Sequence, residues 1–241
     1  MDIAKMLNTT ILACLLILTG CLGFFGNDDD VIGDADGGTS SDNSNLTSSD
    51  NSNLEARISA LEQSHERLSD LQGIIPRNAD LSHAGLVNVD LSGFDLSSTM
   101  LEQADLRYTD LRNTNMKGAD MRGANLIGAD ISDANLWGAN LIGADLSNAN
   151  MSGTRLNFAI LGEANLSDAD LSYADMRNTD MRGANLSYAD LTGADLSGAD
   201  LTGADLTGIF GVDGVTWGLT ICPDGTNSDD NGYTCENNLI F

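Results

Sequence analysis

The chain has 241 residues and carries 36 acidic against 11 basic side chains, a net charge of −25, and only two of the cations are lysines, Lys5 and Lys117. A surface of that charge repels nucleic acid and anionic lipid headgroups, which argues against direct DNA or RNA binding. It is the charge of a plain soluble surface or of one adapted to a saline medium. A cationic partner or divalent ions are the other reading.

The first predicted element is a processing signal over 1–20. Lys5 supplies a positive start, and residues 11–18 (ILACLLIL) form an apolar stretch of eight. A bilayer span needs about 20 such residues, so this is a signal-peptide core rather than a membrane helix. Leu18-Thr19-Gly20-Cys21 follows at the right distance. It resembles the lipobox of prokaryotic lipoproteins, which implies cleavage before Cys21 and a diacylglycerol on its thiol. That in turn implies an extracytoplasmic, membrane-anchored protein.

Residues 21–53 are rich in Asp, Asn, Ser and Gly and nearly duplicate an octapeptide, SSDNSNLT at 40–47 and SSDNSNLE at 48–55. So little apolar surface cannot offset the entropy of ordering, and the segment reads as a flexible acidic tether. Over 54–75 the pattern changes. Leu54, Ile58, Leu61, His65 and Leu68 are spaced as a helical seam, Asn53 suits the N-cap, and Pro76 sets the latest end. The seam is barely two heptads, so two readings stay open: a cap on the next domain, or a coiled coil giving a homo-oligomer.

From Ala79 to Gly208 the chain is 26 unbroken pentapeptides such as ADLSH, ADMRG, ANLIG and ADLTG. The central position, in steps of five from Leu81 to Leu206, is Leu, Met or Ile in all 26; two residues earlier stands Ala in 19. The residue just before the centre is Asp or Asn in 22, the exceptions being Gly85, Met100, Arg155 and Ile160. In an α-helix a step of five rotates about 500° and makes no stripe. In a straight strand it sends alternate leucines to opposite faces. All central residues point inward only if the chain turns by about 90° after each pentapeptide, so that four close one 20-residue coil and coils stack.

This A(D/N)LXX pattern resembles the pentapeptide-repeat proteins. The resemblance implies an all-β fold, a right-handed quadrilateral parallel β-helix (a solenoid) of about 6.5 coils at about 4.8 Å per coil. Residues 209–241 leave the repeat and resemble a terminal motif that follows other such runs. Ile209, Phe210, Val215 and Trp217 are expected to cover the open core, since a terminal coil needs a cap. Cys222 and Cys235 are the pair left over after Cys14 and Cys21, and in an oxidising compartment they are expected to form a disulfide.

Three candidate sites follow. The column Asp90, Asp110, Asp130, Asn150, Asp170, Asp190 is either a cation ladder or, as we favour, a set of side chains bonding their own turns. Asn227, Asp229, Asn231 and Gly232 have part of a calcium-loop spacing, but Asn238 stands where that loop needs Glu, so a turn-rich loop is expected. Trp137, Ile142, Phe158 and Ile160 put large apolar side chains in outward slots at one edge of the middle coils, with Lys117 and Arg155 on the face of Trp137; such a cluster is either a contact site for a protein partner or drift tolerated at exposed repeat positions. No Ser–His–Asp set, metal-ligand spacing or phosphate loop occurs, so the chain is read as a non-enzymatic structural or interaction module without cofactor. The alternative implied by the resemblance is an acidic DNA mimic acting on a type II topoisomerase, which requires a cytoplasmic protein.

Overall fold

The computed structural model describes residues 78–232, 234 and 235. The signal, Cys21, the tether and the expected helix at 54–75 lie outside the described residues.

Each pentapeptide makes one side of a coil. The residue in the Ala slot donates its N–H to the carbonyl of the preceding central residue, as in Ala84 N–H to Leu81 O at 3.0 Å. The residue just before it has positive φ, and the turn is therefore type II. This geometry explains the frequency of glycine in the last slot and why Asn and Asp recur there, whereas Tyr108, Tyr173 and Tyr188 hold the same positive φ against their preference. Between coils, parallel bridges link residues 20 apart, from Asp80–Met100 to Asp190–Phe210. Four such bridges fall in every 20 residues, so the coil is four-sided. We number its faces by their first pentapeptides: face 1 begins with 79–83, face 2 with 84–88, face 3 with 89–93 and face 4 with 94–98. Each face recurs every 20 residues.

The core is the stack of central residues, and Leu96 through Leu201 are at most 1 % exposed. Ala from the flanking slot fills the corners. Where Thr replaces it the hydroxyl is satisfied: Thr99 donates to Leu96 O and Thr154 to Met151 O, each at 2.7 Å. A buried hydroxyl without such a partner would cost free energy.

The expected end of the repeat at 208 is an end in sequence only. Phe210 still pairs with Asp190 at a separation of 20; Thr216 then pairs with Asp195 and Ile221 with Asp200, each at 21. One inserted residue, absorbed around the 3-10 turn Val212–Gly214, shifts the phase. Gly211 occupies a central slot with φ 70, where a Cβ would run into Thr192. Trp217 (3 % exposed) and Cys222 (0 %) then take the next central slots. The expected cap is therefore corrected in part. Trp217 does cover the core, whereas Phe210 sits in an outward Asp/Asn slot and is 58 % exposed; Ile209 and Val215 are half-buried.

Past Cys222 the chain doubles back. Ile221 pairs antiparallel with Asn227, Cys222 N–H donates to Thr226 O at 2.7 Å, and Ser228 N–H donates to Thr220 O at 2.8 Å. This hairpin uses edge groups that a stacked coil would otherwise leave unpaired. The disulfide between Cys222 and Cys235 is present, with Cα atoms 5.3 Å apart.

Candidate interaction face

The polar slots are spent locally. In the Asp90 column each Asp or Asn oxygen accepts the N–H two residues on: Ser92 to Asp90 at 2.9 Å, Ser132 to Asp130 at 3.1 Å, Ser152 to Asn150 at 3.2 Å. The same bond recurs on all four faces, as from Ser82, Ile127, Trp137 and Ile142. These are Asx turns that hold each corner, as expected for that column. Asn side chains add rungs between coils, Asn165 to Asp145 at 3.0 Å and Asn185 to Asn165 at 3.1 Å.

Arginines in the slot after the central residue fold back on the Asp two residues earlier. Arg107, Arg112, Arg122, Arg177 and Arg182 donate both Nε and Nη2 to Asp105, Asp110, Asp120, Asp175 and Asp180. Such bidentate pairs are strong for exposed ones. Each guanidinium, chiefly by its hydrogen bonds, holds the paired carboxyl below the usual carboxylate range. Sequence reasoning missed these clips, although Asp-x-Arg recurs five times and was a readable signal.

The part-calcium-loop residues are also occupied. Asn227 accepts from Asp229 N–H at 2.9 Å and Asp229 accepts from Leu219 N–H at 2.9 Å, which makes the segment a structural turn at Ser228–Asn231. No cluster of His, Cys, Asp and Glu able to hold a metal occurs among the described residues.

What remains is concentrated on face 4. Trp137 and Phe158 meet edge to face with ring centroids 5.9 Å apart, and Lys117 Nζ lies 4.4 Å from the Trp137 centroid. The rings are 44 % and 55 % exposed. Ile142 and Ile160, 41 % and 38 % exposed, stand on face 1, the next side of the same coils. Face 4 continues upward to Leu219, because Gly198 N–H donates to Gly218 O. The structure thus brings Trp137 and Phe158 together and sets Ile142 and Ile160 on the adjoining face. Other exposed aromatics are Phe210 on face 3 and single tyrosines: Tyr108, Tyr173 and Tyr188 each lie over a glycine of the following coil, Gly128, Gly193 and Gly208.

Charge divides the faces in the same way. Over 79–208 face 3 has Asp90, Asp110, Asp130, Asp133, Asp170 and Asp190 against Arg112, a net −5. Face 1 sums to −4 and face 2 to −3 by the same count. Face 4 has Asp95, Asp175 and Asp195 against Lys117, Arg155 and Arg177, a net of zero. Among the described residues Lys117 and Arg155 make no ion pair with a carboxylate, whereas the five other arginines of the coil do.

A four-sided coil of pentapeptides, with aliphatic centres and Asx-turn corners, defines a repeat scaffold that displays side chains on flat faces. The family model "Pentapeptide repeats" matches in 8 copies over residues 69–97, 99–138, 129–168, 149–187 and 164–208. That is more than half of the chain, and the chain belongs to the pentapeptide repeat family. Among solved structures it is similar to HetL, a pentapeptide repeat protein involved in heterocyst differentiation regulation from the cyanobacterium Nostoc sp., at 29% identity over 63% of this chain and 92% of that one, TM-score 0.37. It is similar also to a pentapeptide repeat protein from the Arabidopsis thaliana thylakoid lumen, at 31% identity over 51% of this chain and 71% of that one, TM-score 0.37. A third is QnrB1, a plasmid-mediated fluoroquinolone resistance protein, at 25% identity over 55% of this chain and 77% of that one, TM-score 0.28. No curated protein matches.

Proposed function

We propose that this protein is a non-enzymatic lipoprotein of the cell envelope, in which a right-handed four-sided β-helix serves as a structural and interaction module. The observation that carries the reading is how the coil spends its polar groups. Asp and Asn oxygens close turns, arginines clip aspartates, and the groups left over form a surface rather than a pocket. Pre-organised general acids, bases or nucleophiles would need a concave site with convergent groups, and a flat ladder of corner-capping side chains is not one.

Envelope location rests on Leu18-Thr19-Gly20-Cys21 behind its apolar stretch. The Cys222–Cys235 disulfide is in keeping with an oxidising compartment. The acidity of faces 1 to 3 favours a second reading, a DNA mimic that meets a topoisomerase in the cytoplasm, but the neutral face 4 interrupts the negative surface such a mimic needs.

Fractionation separates the two. Membrane-bound protein released by detergent, and loss of that binding in Cys21→Ala, is the expected result. A wild-type protein found in the cytoplasmic fraction, with a free Met1 end, would remove the lipoprotein reading and leave the mimic.

A further inference from the structure

We propose that face 4 is a membrane-docking face, which lays the rod against the anionic lipid surface of the membrane that anchors it. This inference rests on the lipoprotein reading above.

The net charge of −25 repels an anionic surface, but charge acts locally once two bodies are within a Debye length, about 8 Å at physiological salt. At that range the face decides. Faces 1, 2 and 3 are net negative. Face 4 is neutral, and between Asp95 and Asp175 it has no acid at all; its charges there are Lys117 and Arg155. Both cations are exposed, and neither is spent on a carboxylate. They are free for lipid phosphates, toward which each basic residue near an anionic leaflet is attracted.

The apolar part has the chemistry of the same interface. Trp137 and Phe158 meet edge to face, with Lys117 over the Trp137 ring and Arg155 in the pentapeptide of Phe158, and Trp in particular favours headgroup depth. Lys117 Nζ packs over the Trp137 ring, 4.4 Å from its centroid, so cation and aromatic share one exposed spot of the face. Ile142 and Ile160 add aliphatic surface at the edge shared with face 1. Trp137, an i+1 turn residue, owes its exposure to the fold: its own N–H is bonded to Asn135 and its side chain has no place in the core. A covalent anchor turns docking into an intramolecular step, so a contact too weak to hold a free protein suffices. Lipid is favoured over a protein occupant because face 4 joins free cations to interfacial aromatics on a chain held at a bilayer.

The test uses the lipidated full chain reconstituted in vesicles of phosphatidylglycerol and phosphatidylcholine in equal parts, with brominated acyl chains as quencher. Trp217 is buried in the C-terminal coil and gives a constant background, which Trp137→Ser measures. Trp137 emission is expected to shift to shorter wavelength and to be partly quenched, since Trp settles at headgroup depth, short of the acyl chains. Both effects should shrink in phosphatidylcholine alone and in Lys117→Glu/Arg155→Glu, whose thermal melt should match the wild type. Protein that stays on the vesicles with an unquenched, water-exposed Trp137 would overturn the docking face while leaving the anchor intact. Protein that does not stay on the vesicles would remove the anchor reading. Trp137 burial on raising protein concentration without lipid, and none on vesicles, would assign the face to a protein partner instead.

Discussion

At the scale of the residue, one side chain serves both corner and column. Asp180 accepts from Arg182 N–H at 3.2 Å and takes both guanidinium contacts, with Arg182 Nε also 3.9 Å from Asp200 on the next coil. The hydrogen bonds to Arg182 are the main reason the Asp180 carboxyl titrates below its usual range, partly opposed by burial. A folded-state value lowered in this way means that the clip stabilises the fold above the ordinary carboxylate pKa of about 4. The stabilisation drains as pH falls below that value and through the lower folded one. Because Arg182 is largely in water and Asp180 partly so, solvent screening keeps the contribution small. The sharper readout is the titration itself. In Arg182→Gln the Asp180 midpoint, followed by carboxyl NMR, should rise toward the ordinary value. Asp105, held by Arg107, should stay where it was. An unmoved Asp180 would mean that the turn N–H rather than the guanidinium sets its pKa.

At the scale of the coil, the last slot of one pentapeptide is packed by the same slot of the coil below. A Cβ on Gly128 would come within 2.6 Å of the Tyr108 ring, and a Cβ on Gly208 within 2.7 Å of Tyr188, whereas Gly138 has open space beside it. Gly128 and Gly138 share nearly the same φ, 65° and 64°, so Ala at either incurs the same backbone strain. Gly138→Ala should lose about 1 kcal/mol from that strain. Gly128→Ala should lose that plus a few tenths, because the exposed ring must swing off its glycine before the methyl fits. Removing the ring first, in Tyr108→Ser, should make the two alanine variants equal in a denaturant melt; a persistent difference would put the cause in the backbone. The tyrosine–glycine pairing spans 20 residues and was legible in principle, since each of Tyr108, Tyr173 and Tyr188 has a glycine 20 residues on, Gly128, Gly193 and Gly208. It is hidden in the linear repeat because the partners stand four pentapeptides apart. The continuation past 208 was hidden for a different reason. Val215-Thr216-Trp217 and Thr220-Ile221-Cys222 keep the small–outward–inward order but none of the Ala-Asp-Leu letters, and the inserted residue near Val212–Gly214 breaks the phase. The core and the corner role of Asp and Asn were readable because 26 copies leave one consistent geometry. The interaction cluster was readable as departures from that consensus, while the neutrality of face 4 is spread over pentapeptides 20 residues apart and becomes one surface only in the folded coil.

At the scale of the whole rod, stacking sets like charges in columns one coil apart, about 4.8 Å. Asp90, Asp110 and Asp130 pair by backbone in one such column on face 3, where Arg112 is the one cation. Repulsion along the column is opposed by the ladder of backbone bonds and the apolar core, and it weakens as salt shortens the Debye length from about 30 Å at 0.01 M to about 3 Å at 1 M. Salt also weakens the arginine clips, but over 79–208 acids outnumber bases by 19 to 7, so relief of repulsion is the larger effect. The melting temperature should therefore rise with sodium chloride across that range. The informative comparison is with magnesium chloride at equal ionic strength. A cation site would need carboxylate oxygens free to converge on the ion, and in this column one oxygen of each acid is already bonded to the N–H two residues on, from Ser92, Arg112, Ser132, Ser172 and Thr192. Arg112 Nη2 also takes the second oxygen of Asp110, and dehydrating magnesium for carboxylates already engaged in this way gains little over the free ion in water. The two salts should then give the same melt at the same ionic strength. A clear excess with magnesium, lost in Asp110→Asn/Asp130→Asn, would show that the acidic column binds cations after all and that its corner bonds yield to the metal.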